Sequence, residues 1–385
     1  MSTVKSDKIA GFASVGVVLV VLGSGVGCSS KDSTASNPAT GGAASGAPSS
    51  QGGSAQGGSS AQGGSSAQGG SSAQGGGSAQ GGATGSGGAA TGTGGAANGN
   101  AVVGSFAVLL NPAADENPAY TSVIGKVYSG EYPTDVIETA VANSGSCTVY
   151  QYSRHSCIAP ACTTSQVCVE MDVCRDRPEL VSVGAVSLEG FGAAALKLSA
   201  INNNYQYAGD IAYPGFSEGA TIKLTAAGAH YPAFSVSVAG VAPVELTKES
   251  YMLKYGQPLS VEWKAGSSSV NARVAVLLNI SKHGGSAGYL KCDVADSGSL
   301  TIAGEWISTL MDLGVAGFPQ LTFTRSTKAQ APVSGGVITL EVDALAIPKL
   351  EIDGYCSCFD SSDCGSCSDS TKSVCDSVKK LCHAP

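Results

Sequence analysis

Apolar and polar residues alternate with a period of two through most of the chain after residue 180. Ile222, Leu224 and Ala226 alternate with Thr221, Lys223 and Thr225. Phe234, Val236 and Val238 alternate with Ser235 and Ser237. Leu259, Val261 and Trp263 alternate with Ser260, Glu262 and Lys264. Val274, Val276, Leu278 and Ile280 form a longer run, and Ile338, Leu340 and Val342 another. Successive side chains of a strand point to opposite faces, so each run predicts a strand with one buried and one wet face. Short runs of this kind, bounded by Gly, Pro, Ser or Asn, predict an all-β, antiparallel sandwich. Val181 and Val183 share one parity and Val186 and Leu188 the other, which predicts a β-bulge at Gly184. Only Glu305–Leu313 has helical spacing, through Trp306, Leu310 and Leu313, with Gly314 as its C-terminal cap.

Composition changes this picture at both ends. Ser29–Asn100 holds 23 of the 53 glycines, no aromatic residue and only two charges, Lys31 and Asp32. Such a stretch cannot bury a core. Gln56, Gln62, Gln68, Gln74 and Gln80 recur every six residues in S-S-A-Q-G-G units, which read as a flexible spacer. Its root-mean-square reach is roughly 45–50 Å. The Gly-rich runs follow no strand and open no helix, so they are not nucleotide fingerprints and no cofactor is expected. Ahead of the spacer, Lys5 and Lys8 precede an apolar run from Ile9 to Leu22. That order is the order of a secretory signal. Gly25-Val26-Gly27-Cys28 then resembles a bacterial lipobox, departing from it at Gly25, where Leu is usual. The resemblance implies that Cys28 becomes the lipidated first residue of the mature chain and its membrane anchor. The alternatives are an uncleaved anchor over Ile9–Gly27 or a plain signal.

The expected division is therefore a signal over 1–27, a disordered linker over 28–100, and a β-sandwich module over 101–242 carrying a Cys-rich insertion at 147–174. A second module follows over 243–353, split off at Ala242-Pro243, and a Cys-rich tail over 354–385. The L-S-V-E-W-K strand around Trp263 resembles the Trp-bearing strand of immunoglobulin-like and fibronectin type III modules. The resemblance implies one or two immunoglobulin-like sandwiches with Trp263 in the core.

The chain has 13 cysteines. With Cys28 assigned to lipid, twelve remain, an even number suited to disulfides in an exported protein. Cys147, Cys157, Cys162, Cys168 and Cys174 form a cluster to which the distant Cys292 is expected to pair back, tying the two β halves together. Cys356, Cys358, Cys364, Cys367, Cys375 and Cys382 form the tail, which is too short for a core and needs bridges. The C-x-x-C spacing of Cys364 and Cys367 leaves a zinc knuckle as the rival reading. A lipobox, a Gly/Ser/Ala spacer, β modules and S-D-C-x-x-C-like runs, here Ser362–Cys367, together resemble predicted surface lipoproteins of myxobacteria. The resemblance implies an outer-membrane or cell-surface location, and no particular activity.

Charge narrows the partners. The chain carries 21 basic and 29 acidic residues, a net −8, with no basic stripe, which excludes the footprint of a nucleic-acid binder. Gly215-Phe216-Ser217-Glu218-Gly219 matches the G-x-S-x-G of hydrolase elbows, but a strand-like run follows it where an elbow needs a helix. The four histidines, His155, His230, His283 and His383, form no metal motif. Asp293, Asp296 and Gly298 could mark a calcium loop or an ordinary turn. Tyr205, Tyr207 and Tyr213, around Asn202–Asn204, are the expected binding loop for a glycan or protein ligand. The expectation is thus a non-catalytic binding, adhesion or structural role, with a hydrolase acting through Ser217, or a metal-binding tail, as alternatives.

Overall fold

A computed structural model describes residues 101–385 except 115, 116, 193, 281–287 and 368. The expected signal, Cys28, the linker and His283 lie outside the described residues. The described residues form an all-β sandwich with one short α-helix and a disulfide-rich tail.

The first half of the chain supplies β1 (Val102–Asn111), β2 (Tyr120–Val127), β3 (Val136–Ser144) and β4 (Cys147–Arg154), then a small hairpin of β5 (Gln166–Glu170) and β6 (Val173–Asp176). It continues through β7 (Val186–Glu189), β8 (Leu196–Ile201), β9 (Asn204–Gln206), β10 (Thr221–Ala226) and β11 (Phe234–Ala239). The second half supplies β12 (Ser250–Leu253), β13 (Leu259–Glu262), β14 (Arg273–Asn279), β15 (Gly288–Ala295) and β16 (Ser299–Ile302). After α1 (Gly304–Asp312) come the long β17 (Gln320–Val333) and β18 (Gly336–Ala346), then β19 (Lys349–Ile352). β20 (Val374–Asp376) and β21 (Leu381–His383) pair within the tail.

One 13-stranded sheet, in the order β11-β10-β7-β8-β9-β2-β1-β18-β17-β14-β15-β4-β3, serves two cores. In the first, Phe106, Val108, Leu110, Leu340 and Val342 meet Leu188, Ile222, Leu224 and Val236. In the second, Val276, Leu278, Leu290 and Phe323 pack with Leu253, Val261 and Leu350 from the two-stranded sheets β12–β19 and β13–β16, and with Trp263 just beyond β13. The antiparallel expectation holds for every described pairing except β1–β18 and β12–β19, which are parallel. A parallel pair needs a long crossover, and here the connections run from Asn111 to Gly336 and from Leu253 to Lys349.

The predicted alternation is the observed burial. Ile222 and Leu224 are buried while Thr221 is exposed, and Leu259, Val261 and Trp263 are buried while Ser260 and Glu262 are exposed. The helix buries Ile307, Leu310 and Met311 and gives way to Gly314 at φ +113°. Gly184 lies outside any strand at φ +80°, with the Gly228 carbonyl where a Cβ would stand. The parity switch that predicted a bulge is therefore a sharp bend, which returns both Val183 and Val186 to the core. Ala242-Pro243 follows β11, but the two cores interleave in sequence. β3 and β4 attach beside β15, and β17 and β18 run through both cores.

Candidate binding surfaces

Tyr205 is 2% exposed and belongs to the first core, its ring 5.5 Å from Phe106. Its hydroxyl accepts the Val183 N–H at 2.8 Å and donates to the Gly184 carbonyl at 3.1 Å, holding the bend. Tyr207 and Tyr213 are half-buried against the same core, and burial raises the Tyr213 phenol above its usual range. Asn202 and Asn203 take φ +50° and +60° in the β8–β9 turn. Asn tolerates that left-handed backbone, so the Asn run is turn chemistry. The three tyrosines expected at a binding loop thus lie against the first core.

Ser217 is exposed in the turn before β10, where its carbonyl accepts the Ala220 N–H at 3.0 Å. It lines an open cleft of about 540 Å³ with Gly190, Phe216, Glu218, Val241 and Pro243. Among those lining residues there is no histidine, and the Glu218 carboxylate accepts the Ser267 N–H at 2.6 Å. A strand and no helix follows Ser217, which lies in a turn of the connection from β9 to β10.

Asp293 and Asp296 are both engaged by arginine. Asp293 pairs with Arg273 at 2.6 Å on the surface. Asp296 pairs with Arg325 at 2.8 Å, the two side chains 8% and 2% exposed. Trp263 Nε1 donates to Asp296 at 2.7 Å and the Gly266 N–H at 2.9 Å. Burial pushes the Asp296 carboxyl up, but the bonds from Trp263, Arg325 and Gly266 outweigh it and hold the group below the usual carboxylate range. Arg325 also donates to the carbonyls of Ala242 and Pro243 at 3.1 and 2.8 Å. On β17 it stands between Phe323 of the second core and Ala331 of the first. The two acids therefore serve ion pairs, and Asp296 is the counter-charge of the junction between the cores. The signal was present: Arg325 occupies the buried parity of Leu321 and Phe323.

All twelve cysteines from Cys147 onward are bridged: Cys147–Cys292, Cys157–Cys168, Cys162–Cys174, Cys356–Cys367, Cys358–Cys375 and Cys364–Cys382. Cys292 does pair back to the first cluster. It does so as the direct cross-strand partner of Cys147, tying β4 of the first half of the chain to β15 of the second within the second core. Two trios of sulfurs lie close together, Cys157, Cys162 and Cys168, and Cys358, Cys364 and Cys382. Metal ligation needs thiolates, and these sulfurs are spent in disulfides.

Sequence reasoning passed over a second aromatic group. Tyr150 and Tyr289 stand opposite each other on β4 and β15, ring centroids 5.3 Å apart, and Tyr152 lies 6.5 Å from Tyr289. Val149 and Leu290 take the core side, so the three rings occupy the outer face, half-buried. Glu138 on β3 accepts the Tyr289 hydroxyl at 2.7 Å. Burial, the bond from the phenol and the Glu138 charge raise the Tyr289 pKa far above the ordinary phenol range.

No family model matches the chain. No curated protein matches it in sequence. Among solved structures it is similar to a crystal structure of chicken CNTN1 FN1-FN3 domains, at 9% identity and a TM-score of 0.15, over 57% of this chain and 67% of that one.

Proposed function

We propose that the chain is an exported lipoprotein of the outer membrane or cell surface, anchored through Cys28, with a head that binds or adheres and does not catalyse. The observation that carries this reading is the cysteine count. Thirteen cysteines and six bridges leave Cys28 alone outside the pairs, at the end of a signal-like segment. Six disulfides in a chain of this size suit an oxidising compartment. The resemblance to predicted myxobacterial surface lipoproteins supports the same location. The partners in this reading are the membrane, through lipid, and a glycan or protein ligand at the head. The non-catalytic part draws on the Ser217 turn, whose cleft has no histidine among its lining residues.

Intact mass of the membrane-extracted protein, before and after reduction with thiol alkylation, tests the reading. The expected result is a lipid increment on a chain that begins at Cys28, with twelve thiols released only on reduction. A chain without lipid, or with free thiols before reduction, overturns it. Labelling of folded protein at Ser217 by a fluorophosphonate overturns the non-catalytic part.

A further inference from the structure

The tyrosine group on the outer face is placed where core packing does not require it. Tyr150, Tyr152 and Tyr289 turn away from Val149, Leu290 and Cys292, which fill the second core. We propose that Tyr150, Tyr152, Tyr289 and Glu138 form a platform that binds a neutral saccharide. The proposal rests on the reading of the head as a binding module and names its ligand class.

The chemistry of the patch selects the ligand. A tyrosine offers an apolar ring and a polar tip, and two side-chain torsions cost little to order. A pyranose is the matching object: its C–H faces stack on rings, and its rim of hydroxyls needs donors and acceptors. Three phenols supply both, and the second Glu138 oxygen has no partner among the described residues. Charge favours a neutral ligand. Glu138 stands at one end of the patch, and Lys291, on the same face of β15 two residues from Tyr289, stands at the other. Arg154, two residues beyond Tyr152 on the same face of β4, is paired with Asp135 at 2.6 Å, so the patch as a whole carries no net charge and suits a neutral polyol better than an anion.

The platform is also preorganised. The Cys147–Cys292 bridge joins the same two strands three residues from the Tyr150–Tyr289 pair. The Tyr289–Glu138 bond ties β15 to the edge strand β3 across β4. Side chains held by strands and by each other lose less freedom on binding than loop residues do.

The test is a printed array of neutral and uronic-acid oligosaccharides probed with the full-length protein, followed by titration of the best neutral binder. Binding to neutral glycans is expected, weaker by about tenfold or more in Tyr152→Ala and Tyr289→Ala. Glu138→Gln should weaken it about 3- to 10-fold. Tyr289→Phe keeps the ring and the fold and should lose no more than Glu138→Gln does. Six bridges retained by mass show that each variant folds. No binding to neutral glycans, a preference for uronates, or binding equal in all variants overturns the platform. The anchor reading fails separately: lipidated surface protein that binds no glycan loses only the platform, and unlipidated protein that binds through these tyrosines loses only the anchor.

Discussion

The sandwich head and the Cys-rich tail solve the same problem with different chemistry. The head hides two continuous apolar cores under one large sheet and needs a single bridge, Cys147–Cys292, within them. The tail centres instead on sulfur: Cys358, Cys364 and Cys382 are its buried cluster, with Cys356, Cys367 and Cys375 around it. Of its apolar side chains Leu381 is buried, but Phe359 is 66% exposed and Val378 75%. Thirty-odd residues cannot bury enough area to offset chain entropy, whereas about 250 can. The tail has a further support that its composition does not reveal. It docks on the head: the Gly317 N–H donates to the Lys379 carbonyl at 2.5 Å, and Phe318 and Phe359 stack at 4.2 Å.

The largest expected effect separates the two solutions. The tail bridges overlap, so each closes a loop that the other two cross. Cys364→Ser with Cys382→Ser should melt the tail as a unit while the head keeps its stability. Hydrogen exchange resolved by segment reads this directly, and a tail that stays protected would make docking on Gly317, not sulfur, its main support. The next effect falls on the head. Cys147 and Cys292 are 145 residues apart, and opening a loop of that length costs about 5 kcal/mol in the chain-entropy model. Cys147→Ser with Cys292→Ser should therefore lower the urea midpoint of the head and leave tail exchange unchanged.

Arg325 shows that even the head is not purely apolar. Asp296→Ala strands a guanidinium that is 2% exposed, and breaking such a pair costs about 3–5 kcal/mol. Replacing both partners removes the stranded charge. Arg325→Met with Asp296→Ala should accordingly lose less stability than Asp296→Ala alone, measured as a double-mutant cycle. Equal or greater loss in the double variant would mean that the bonds from Arg325 to Ala242 and Pro243, not the ion pair, hold the cores together.

Much of this contrast was legible in the residues. Period-two runs located β10, β11, β13, β14 and β18, and helical spacing located α1 within a residue at either end. The even cysteine count anticipated bridging. Pairing across long separations was not legible, and the site depends on it. Tyr150 and Tyr289 are 139 positions apart and meet only because β4 lies beside β15. A Cys147–Cys292 cross-strand bridge sets that register, three residues from the tyrosine pair on each strand, but the cysteine count alone left the partner of Cys292 open. Tyr205 failed for the opposite reason. Its neighbours Asn202 and Asn203 announced a turn, and nothing local said that the next strand would carry its ring into the core.

The smallest effect distinguishes head from tail by pH. Asp343 lies half-buried on the outer face of β18, opposite Leu109 of β1. Burial first, and then the Glu341 charge, raise its carboxyl to about 7, against a smaller pull from Lys328. Between the unfolded value of about 4 and this folded value, the native head holds a proton that the unfolded chain has released. Head stability therefore falls as pH rises through that window. The tail carboxyls run the other way. Hydrogen bonds from Ser362, from Thr371, and from Lys379 with Val378 hold Asp360, Asp369 and Asp376 below the usual range. Their contribution is present above the unfolded value and is lost as pH falls through the folded ones, below about 4. Asp343→Asn keeps the shape and removes the titration. Partial exposure screens the group, so the gain at pH 8 should be on the order of 1 kcal/mol, or about 2–4 °C in Tm, with none at pH 4. A gain equal at both pH values would show that packing at Asp343, and not its charge, limits the head.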